Sequence, residues 1–142
     1  MHEASALAGM AFTNASLGLV HSMAHKIGGE FGVTHGLANA ILLPYVIAYN
    51  RKVSDKYAYA EKMLGLADLS KAIEEMNRKM DIPSCFKDCT EVDFNEAKFK
   101  EVLDRMSEHA WEDPCTLTNP GKPTALDVKM LFEAAYYGKA VE

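Results

Sequence analysis

The spacing of hydrophobic and polar positions predicts helices along most of the chain, and no segment shows the alternation that is typical of a strand. Residues 4–14 and 17–30 are rich in Ala, Met, Leu and Gly, which favours either two short, closely packed helices or one helix with a kink. Three glycines between positions 28 and 32 mark the end of this region. Residues 36–50 form a third apolar segment, in which Pro44 predicts a kink or a break.

Four amphipathic helices are predicted in the rest of the chain, ending near residues 64, 80, 111 and 138. Each follows residues that favour helix N-termini: Ser54 and Asp55, Asp68 or Ser70, Asp93, and Thr124 with Asp127 as a near capping box. A chain of 142 residues with 49% hydrophobic residues is long enough for one core. We therefore expect residues 1–142 to form a single all-α domain, a helical bundle.

Charged residues are distributed very unevenly along the chain. Between residues 4 and 50 only Lys26 and Glu30 are charged, whereas 32 of the 35 charged residues lie between residues 51 and 142. We interpret the first third as interior, with its first helix buried on all sides within a larger protein. A membrane span is disfavoured there, because polar side chains, two histidines and several glycines interrupt the apolar run.

Composition limits the classes of binding partner and the cellular compartment that we expect for this protein. A net charge of -5 without a run of like charges argues against electrostatic binding to nucleic acid or to an anionic membrane. The three cysteines, Cys85, Cys89 and Cys115, are odd in number and include no Cys-x2-Cys pair, which indicates reduced thiols in a cytoplasmic protein. We find no secretory signal after Met1.

Three histidines, His21, His25 and His35, lie within fifteen residues of one another. On a continuous helix His21 and His25 project from one face, about 5.4 Å apart along the axis. His35 follows a Gly-rich exit, so a chain reversal could bring its ring back beside His21. Imidazole is a common ligand for Zn, Fe, Cu and Ni, and catalytic sites usually need three or four protein ligands. The cluster is therefore interpreted as half a metal site.

Other interpretations of the cluster stay open on the residues alone. A buried histidine is often a hydrogen-bonded core residue, and His-x3-His occurs by chance in many helices. The same spacing occurs in zinc metalloproteases, but Ser22 follows His21 where those enzymes need a glutamate as general base. A metalloprotease mechanism is therefore disfavoured.

A longer pattern surrounds the histidines: Ala8-Gly9-Met10-Ala11-Phe12, Asn14, Leu17-Gly18, His21, Ala24-His25, Gly28, His35-Gly36, Ala38-Asn39-Ala40 and Leu43-Pro44. A second pattern follows near the C-terminus: Asp113-Pro114-Cys115-Thr116 and Asn119-Pro120. Together they resemble the iron-containing alcohol dehydrogenase family. The closing Ala135-Tyr136-Tyr137-Gly138 is similar to the bifunctional aldehyde-alcohol dehydrogenases within that family. The resemblance spans essentially the whole chain.

The resemblance implies roles for five residues. In this family a Rossmann-like N-terminal domain binds NAD(P), and an all-helical C-terminal domain holds a divalent metal, usually Fe(II) and sometimes Zn. His21 and His35 match two of the metal-ligand histidines. His25 matches a histidine near the nicotinamide and the substrate, which implies a catalytic and cofactor-binding role. Phe12 and Cys115 match positions that line the substrate pocket, although Cys115 is otherwise explained as a small buried thiol.

Two parts of the family pattern have no counterpart here, the Gly-rich nucleotide loop and the Asp-x3-His pair that supplies the other metal ligands. We therefore expect the C-terminal portion of a metal-dependent, NAD(P)-linked alcohol dehydrogenase, a helical domain incomplete on its N-terminal side and inactive alone. Met1 is expected to be an internal methionine of a longer enzyme or the start of a truncated one. The partners implied are the missing nucleotide-binding domain and a small alcohol or aldehyde.

The sequence is also consistent with a second class of function. The chain could be a noncatalytic helical module that binds itself or a partner through its apolar N-terminal segment. Monomers rarely tolerate a large exposed apolar surface, so a homo-oligomer is expected.

Overall fold

The computed structural model describes residues 1–141, and all regular secondary structure within that range is helical. The α-helices in chain order are α1 (His2–Ala15), α2 (Leu19–Phe31), α3 (His35–Asn50), α4 (Lys56–Leu64), α5 (Leu69–Lys79), α6 (Glu96–Trp111) and α7 (Ala125–Tyr137). Short 3-10 helices lie at Phe86–Asp88 and Pro114–Thr118. The predicted all-α class is confirmed, and the helices begin and end within a few residues of the positions that the sequence indicates.

The hydrophobic core lies between α2, α3, α6 and α7. Helix α2 packs against α3 and α6, α7 packs against α6 and α3, and α5 covers another side of α3. Full burial of a large apolar side chain contributes about 1.5–3 kcal/mol, so these four helices supply most of the hydrophobic stabilisation. The largest fully buried side chains include Leu19, Met23, Ile27, Ile41, Leu42, Phe99, Met106, Leu131, Phe132 and Tyr136.

The uncharged first third divides into two parts with opposite environments. Ser16, with φ of 62°, separates α1 from α2, so the region forms two helices rather than one kinked helix. Helices α2 and α3 contribute buried residues to the core, but α1 buries none of its residues. Within residues 1–141 α1 is uncovered, so its expected burial within a larger protein stays a prediction. No helix in this range is both long and apolar enough to span a membrane.

Pro44 lies inside α3 and is accommodated by a contact from α5. Proline has no backbone N–H, so the carbonyl of Ala40, four residues earlier, loses its usual partner in the helix. Asn77 Nδ2 donates to that carbonyl oxygen at 2.8 Å. Ser70 Oγ donates to the carbonyl oxygen of Pro44 at 3.0 Å. Two side chains of α5 therefore satisfy carbonyls of α3, which fixes the register of the two helices.

Three helix N-termini differ in how closely they follow the predicted caps. Asp68, rather than Ser70, caps α5 and accepts from the backbone N–H of Lys71. The proposed cap at Asp93 is wrong, because Asn95 accepts from the N–H of Lys98 and caps α6. Thr124 and Asp127 form the capping box of α7, as predicted.

Replacing Asn77 with Ala should lower the free energy of unfolding by about 1–3 kcal/mol, because the Ala40 carbonyl would lose its donor. The neighbouring change Met76→Ala is the control, since Met76 is 52% exposed and a surface change costs about 0.5 kcal/mol or less. Urea unfolding of the two variants and the wild type makes the comparison. Equal losses in the two variants would contradict the assigned role of Asn77.

Candidate functional site

The three histidines of the sequence analysis come together at the junction of α2 and α3. The ring centroids of His21 and His35 are 5.3 Å apart, those of His25 and His35 are 5.6 Å apart, and those of His21 and His25 are 6.2 Å apart. Gly32 ends α2 with φ of 76°, a left-handed conformation that glycine adopts without strain. The predicted Gly-rich reversal therefore does return His35 to the face that carries His21.

The electrostatics of the cluster favour a neutral imidazole at His21. Burial, followed by the neighbouring His35 and His25, lowers the pKa of His21 below its ordinary value. Three rings this close cannot all carry a proton without mutual repulsion. Since only an unprotonated ring nitrogen binds a metal, His21 is already in the form that a ligand requires.

Asn39 lies one helical turn after His35 and contacts it twice. Its side-chain Nδ2 donates to the carbonyl oxygen of His35 at 2.8 Å and lies 3.1 Å from the ring Nε2. The other amide atom, Oδ1, is buried and has no hydrogen-bond partner within residues 1–141. Buried acceptors are usually paired, so this edge of the cluster lacks a donor.

A carboxylate that sequence reasoning did not assign, Asp113, lies beside α2 and contacts both His25 and Lys26. Its Oδ2 accepts from Lys26 Nζ at 2.8 Å and lies 3.3 Å from His25 Nδ1. Its Oδ1 accepts from the backbone N–H of Cys115 at 3.0 Å. Burial acts to raise the pKa of Asp113, but the hydrogen bonds from Lys26, Cys115 and His25 outweigh it and hold that pKa far below its ordinary range. Asp113 is therefore an ionised carboxylate that is only 9% exposed.

Residues 113–119, here called the clamp segment, are fastened to α2 at several further points. Thr116 Oγ1 lies 2.7 Å from Ser22 Oγ, and Thr118 donates to the carbonyl of Leu17. Asn119 Oδ1 accepts from the backbone N–H of Leu19 at 3.4 Å. The same amide exchanges two hydrogen bonds with the buried Asn50, at 2.8 and 2.7 Å. The clamp segment thus joins the start of α2 to the end of α3.

The two residues expected to line a substrate pocket have different surroundings. Cys115 lies in the clamp segment, and its Sγ, a carboxylate oxygen of Asp113 and a ring nitrogen of His25 lie within 4.8 Å of one another. Burial, and then the adjacent Asp113, raises the pKa of the Cys115 thiol, so the thiol is protonated near neutral pH. Phe12 lies on α1 and is 49% exposed. Their roles toward a substrate remain predictions.

Asp113 could have been anticipated from one signal in the sequence. Lys26 is one of only two charged residues between residues 4 and 50, and a lysine in an apolar helix needs a carboxylate partner. Which carboxylate that would be does not follow from the sequence, because Asp113 is 87 residues away. Asn39 carries a weaker signal, since it lies four residues after His35 on the same helical face.

A groove of about 890 Å³ lies elsewhere, between α3, α5 and the residues that follow α7. It is lined by Ile41, Tyr45 and Val141 among others, and by none of the three histidines. His25 and His35 are exposed at the surface. The histidine cluster is therefore an open surface site in this chain rather than the floor of that groove.

Comparison with known proteins identifies the fold and its relatives. The C-terminal profile of the Fe-containing alcohol dehydrogenase family matches residues 1–136. The chain belongs to that family. It is 45% identical to an NADPH-dependent butanol dehydrogenase of Clostridium saccharobutylicum, an alignment that covers 100% of this chain and 38% of that protein. It is 38% identical to an aldehyde-alcohol dehydrogenase of Streptococcus pneumoniae, over 97% of this chain and 18% of that protein.

A solved structure gives the same answer for the fold. The iron-containing alcohol dehydrogenase of Thermococcus thioreducens superposes with a TM-score of 0.85 at 36% sequence identity. The match covers 97% of this chain and 36% of that one. The resemblance drawn from the sequence is confirmed, and the chain spans less than two fifths of the length of these family members.

Replacing Asn119 with Ala should destabilise the protein by about 2–3 kcal/mol, because the buried Asn50 amide and the N–H of Leu19 would both lose a partner. Asn14→Ala is the matched control, since Asn14 is exposed on α1 and bonds only within its own helix. Thermal or urea unfolding measures both variants. If Asn119→Ala lowers the free energy of unfolding no more than Asn14→Ala does, the role assigned to the clamp segment is wrong.

Proposed function

We propose that this chain is the C-terminal portion of a metal-dependent, NAD(P)-linked alcohol dehydrogenase that interconverts small alcohols and aldehydes by hydride transfer. The observation that carries the proposal is the convergence of His21 and His35 in a chain that belongs to the Fe-containing alcohol dehydrogenase family. Residues 1–142 form one helical domain in this proposal. Its three cysteines form no disulfide, which fits a cytoplasmic protein.

The spacing of His21 and His35 fits two ligands of one ion. A metal–nitrogen bond of about 2.0–2.1 Å puts each ring centroid roughly 3 Å from the ion, and two rings at a tetrahedral angle then lie roughly 5 Å apart. The observed centroid distance is 5.3 Å. Imidazole nitrogen is a donor that suits both Fe(II) and Zn. The residues present therefore fit either metal, which they would hold through His21 and His35.

The orientation of His25 supports a different role for that residue. The rings of His25 and His35 are stacked, with only 17° between their planes. His25 Nδ1 also lies 3.3 Å from Asp113 Oδ2. In the proposal His25 therefore pairs with this carboxylate, while His21 and His35 are the ligands.

Two imidazoles are fewer than the three or four protein ligands that catalytic metals usually take. The unpaired Oδ1 of Asn39 and the open surface of the cluster indicate that further polar groups complete the site. The chain carries neither an Asp-x3-His pair nor a Gly-rich nucleotide loop. In the proposal the Asp-x3-His pair comes from the missing N-terminal part of the helical domain and the loop from a nucleotide-binding domain, and the 142 residues alone do not oxidise alcohols.

The three histidines of this half-site would have different tasks in alcohol oxidation. When bound, the metal supplies Lewis-acid polarisation of the alcohol oxygen, and NAD(P) supplies the hydride acceptor. His21 and His35 hold the metal side of the cluster. His25 is 39% exposed and next to an ionised carboxylate, so it takes the proton that the alcohol loses and returns it to solvent.

Isothermal calorimetry with Zn²⁺, and with Fe²⁺ under anaerobic conditions, tests the ligand assignment on this chain. We expect weak binding that His35→Ala reduces by about tenfold or more, since even outer contacts of a metal ligand are worth that much. His109→Ala is the control, because His109 is an exposed histidine on α6. Tight binding that is indifferent to His35→Ala would overturn the assignment.

The exposure of α1 favours a second possibility, a helical module that oligomerises without catalysis. Leu7 and Met10 are 66% and 67% exposed on α1. If α1 mediates self-association, the wild type should elute as an oligomer, and Leu7→Glu with Met10→Lys should convert it to a monomer of unchanged helicity. Size-exclusion chromatography with light scattering and circular dichroism measures both properties. A monomeric wild type would exclude this alternative.

A further inference from the structure

We infer that Asp113 is a positioning residue that fixes the tautomer of His25, with the hydrogen on Nδ1 and the lone pair on Nε2. The contact that carries the inference is the distance of 3.3 Å between His25 Nδ1 and Asp113 Oδ2. The tautomer itself follows from this chain alone, whereas its use in catalysis rests on the proposed function.

The carboxyl group of Asp113 is ionised. Asp113 accepts hydrogen bonds from Lys26 and from the N–H of Cys115, both of which favour the ionised form. An ionised carboxylate can only accept hydrogen bonds. An unprotonated Nδ1 at 3.3 Å would set one lone pair against another, so Nδ1 must carry the hydrogen.

Lys26 also binds the carboxylate of Asp113. Its ammonium lies 2.8 Å from the same Oδ2 and compensates the charge of the carboxylate. What Asp113 still requires from His25 is therefore a hydrogen-bond donor, and a neutral ring with hydrogen on Nδ1 provides one. The other ring nitrogen, Nε2, then keeps its lone pair as the acceptor of the imidazole.

In this tautomer Nε2 is the ring nitrogen of His25 that can accept a proton. In the reaction proposed above, Nε2 of His25 would take the proton when the O–H bond of the alcohol breaks, and NAD(P)⁺, when bound, would supply the acceptor for the hydride released from the C–H bond. The Nδ1–H bond to Asp113 stays intact and stabilises the imidazolium. With the hydrogen on Nε2 instead, the ring would have no lone pair on that side, and the proton could not be taken up there.

A metal ion shared by His25, Asp113 and Cys115 is the competing explanation for the same contacts, since their potential ligand atoms lie within 4.8 Å of one another. Two features of the site favour the hydrogen bond. Lys26 already occupies the carboxylate with a positive charge, and the Cys115 thiol is protonated rather than a thiolate. A cation there would have to displace both an ammonium ion and a thiol proton.

Long-range ¹H–¹⁵N correlation spectra of the ¹⁵N-labelled chain test the inference, because they distinguish protonated from bare ring nitrogens. At about pH 8, where an ordinary histidine is neutral, His25 should show hydrogen on Nδ1 in the wild type. Asp113→Asn should lower the ratio of the Nδ1–H to the Nε2–H tautomer by about tenfold, the value of one hydrogen bond to a charged group. His25→Gln assigns the signals.

Three further variants test whether the carboxylate at position 113 sets the tautomer of His25. Asp113→Glu and Lys26→Met should keep the hydrogen on Nδ1, because a carboxylate remains available to the ring. Asp104→Asn makes the same chemical change at an exposed carboxylate that pairs with Lys129, and it should alter nothing at His25. A wild-type ring with its hydrogen on Nε2 would overturn the inference, and so would an unchanged tautomer ratio in folded Asp113→Asn.

The measurement needs neither metal nor coenzyme, so its failure is separable from that of the proposed function. If Asp113→Asn does not fold, the wild-type tautomer and the Asp113→Glu variant decide the question. Loss of the Nδ1 hydrogen when Zn²⁺ is added would instead favour a metal ion shared by His25, Asp113 and Cys115. It would contradict the assignment of Asp113 as a hydrogen-bond acceptor.

Discussion

The attachment of the clamp segment to α2 is the constraint on which the histidine cluster depends. Asp113 binds Lys26 and His25 at the second and third turns of α2, while Asn119 and Thr118 bind the backbone at Leu19 and Leu17. The same seven residues thus fasten both ends of the helical face that carries His21 and His25. Because Asn119 also pairs with Asn50 at the end of α3, the helix that begins at His35 is tied to the same segment.

These contacts are polar, and most of them are buried or partly buried, which gives them more influence on register than on net stability. A satisfied hydrogen bond contributes about 1 kcal/mol, but an unsatisfied buried group costs its full desolvation penalty. Sliding α2 or α3 by one residue would break several such bonds at once. The apolar side chains in the core tolerate small shifts far better, so the polar contacts decide which packing of the helices is adopted. Asn77, which bonds to the carbonyl that Pro44 leaves free, acts in the same way between α3 and α5.

Local sequence patterns predicted the elements well, because helix caps and apolar stripes are decided within a few residues. The cap at Thr124 and the glycine-rich reversal after α2 were both predictable on those grounds. The choice of Asn95 over Asp93 was not, since either residue type can cap and tertiary packing decides between them. The carboxylate partner of Lys26 could not be predicted, for a different reason. It lies 87 residues away, and a single sequence carries no record of which carboxylate folds back onto α2.

The exposure of α1 and the geometry of the histidines are largely independent of each other. Helix α1 directly precedes α2, so an uncovered α1 could be expected to leave the first turn of α2, and with it His21, poorly placed. However, the bonds from Asn119 to Leu19 and from Thr118 to Leu17 hold that turn from the other side. The cluster can therefore be preorganised by residues 17–119 even when α1 has nothing to pack against. In the function proposed above, the rest of the enzyme would add ligands, enclosure and the coenzyme, but it would not need to create the arrangement of His21, His25 and His35.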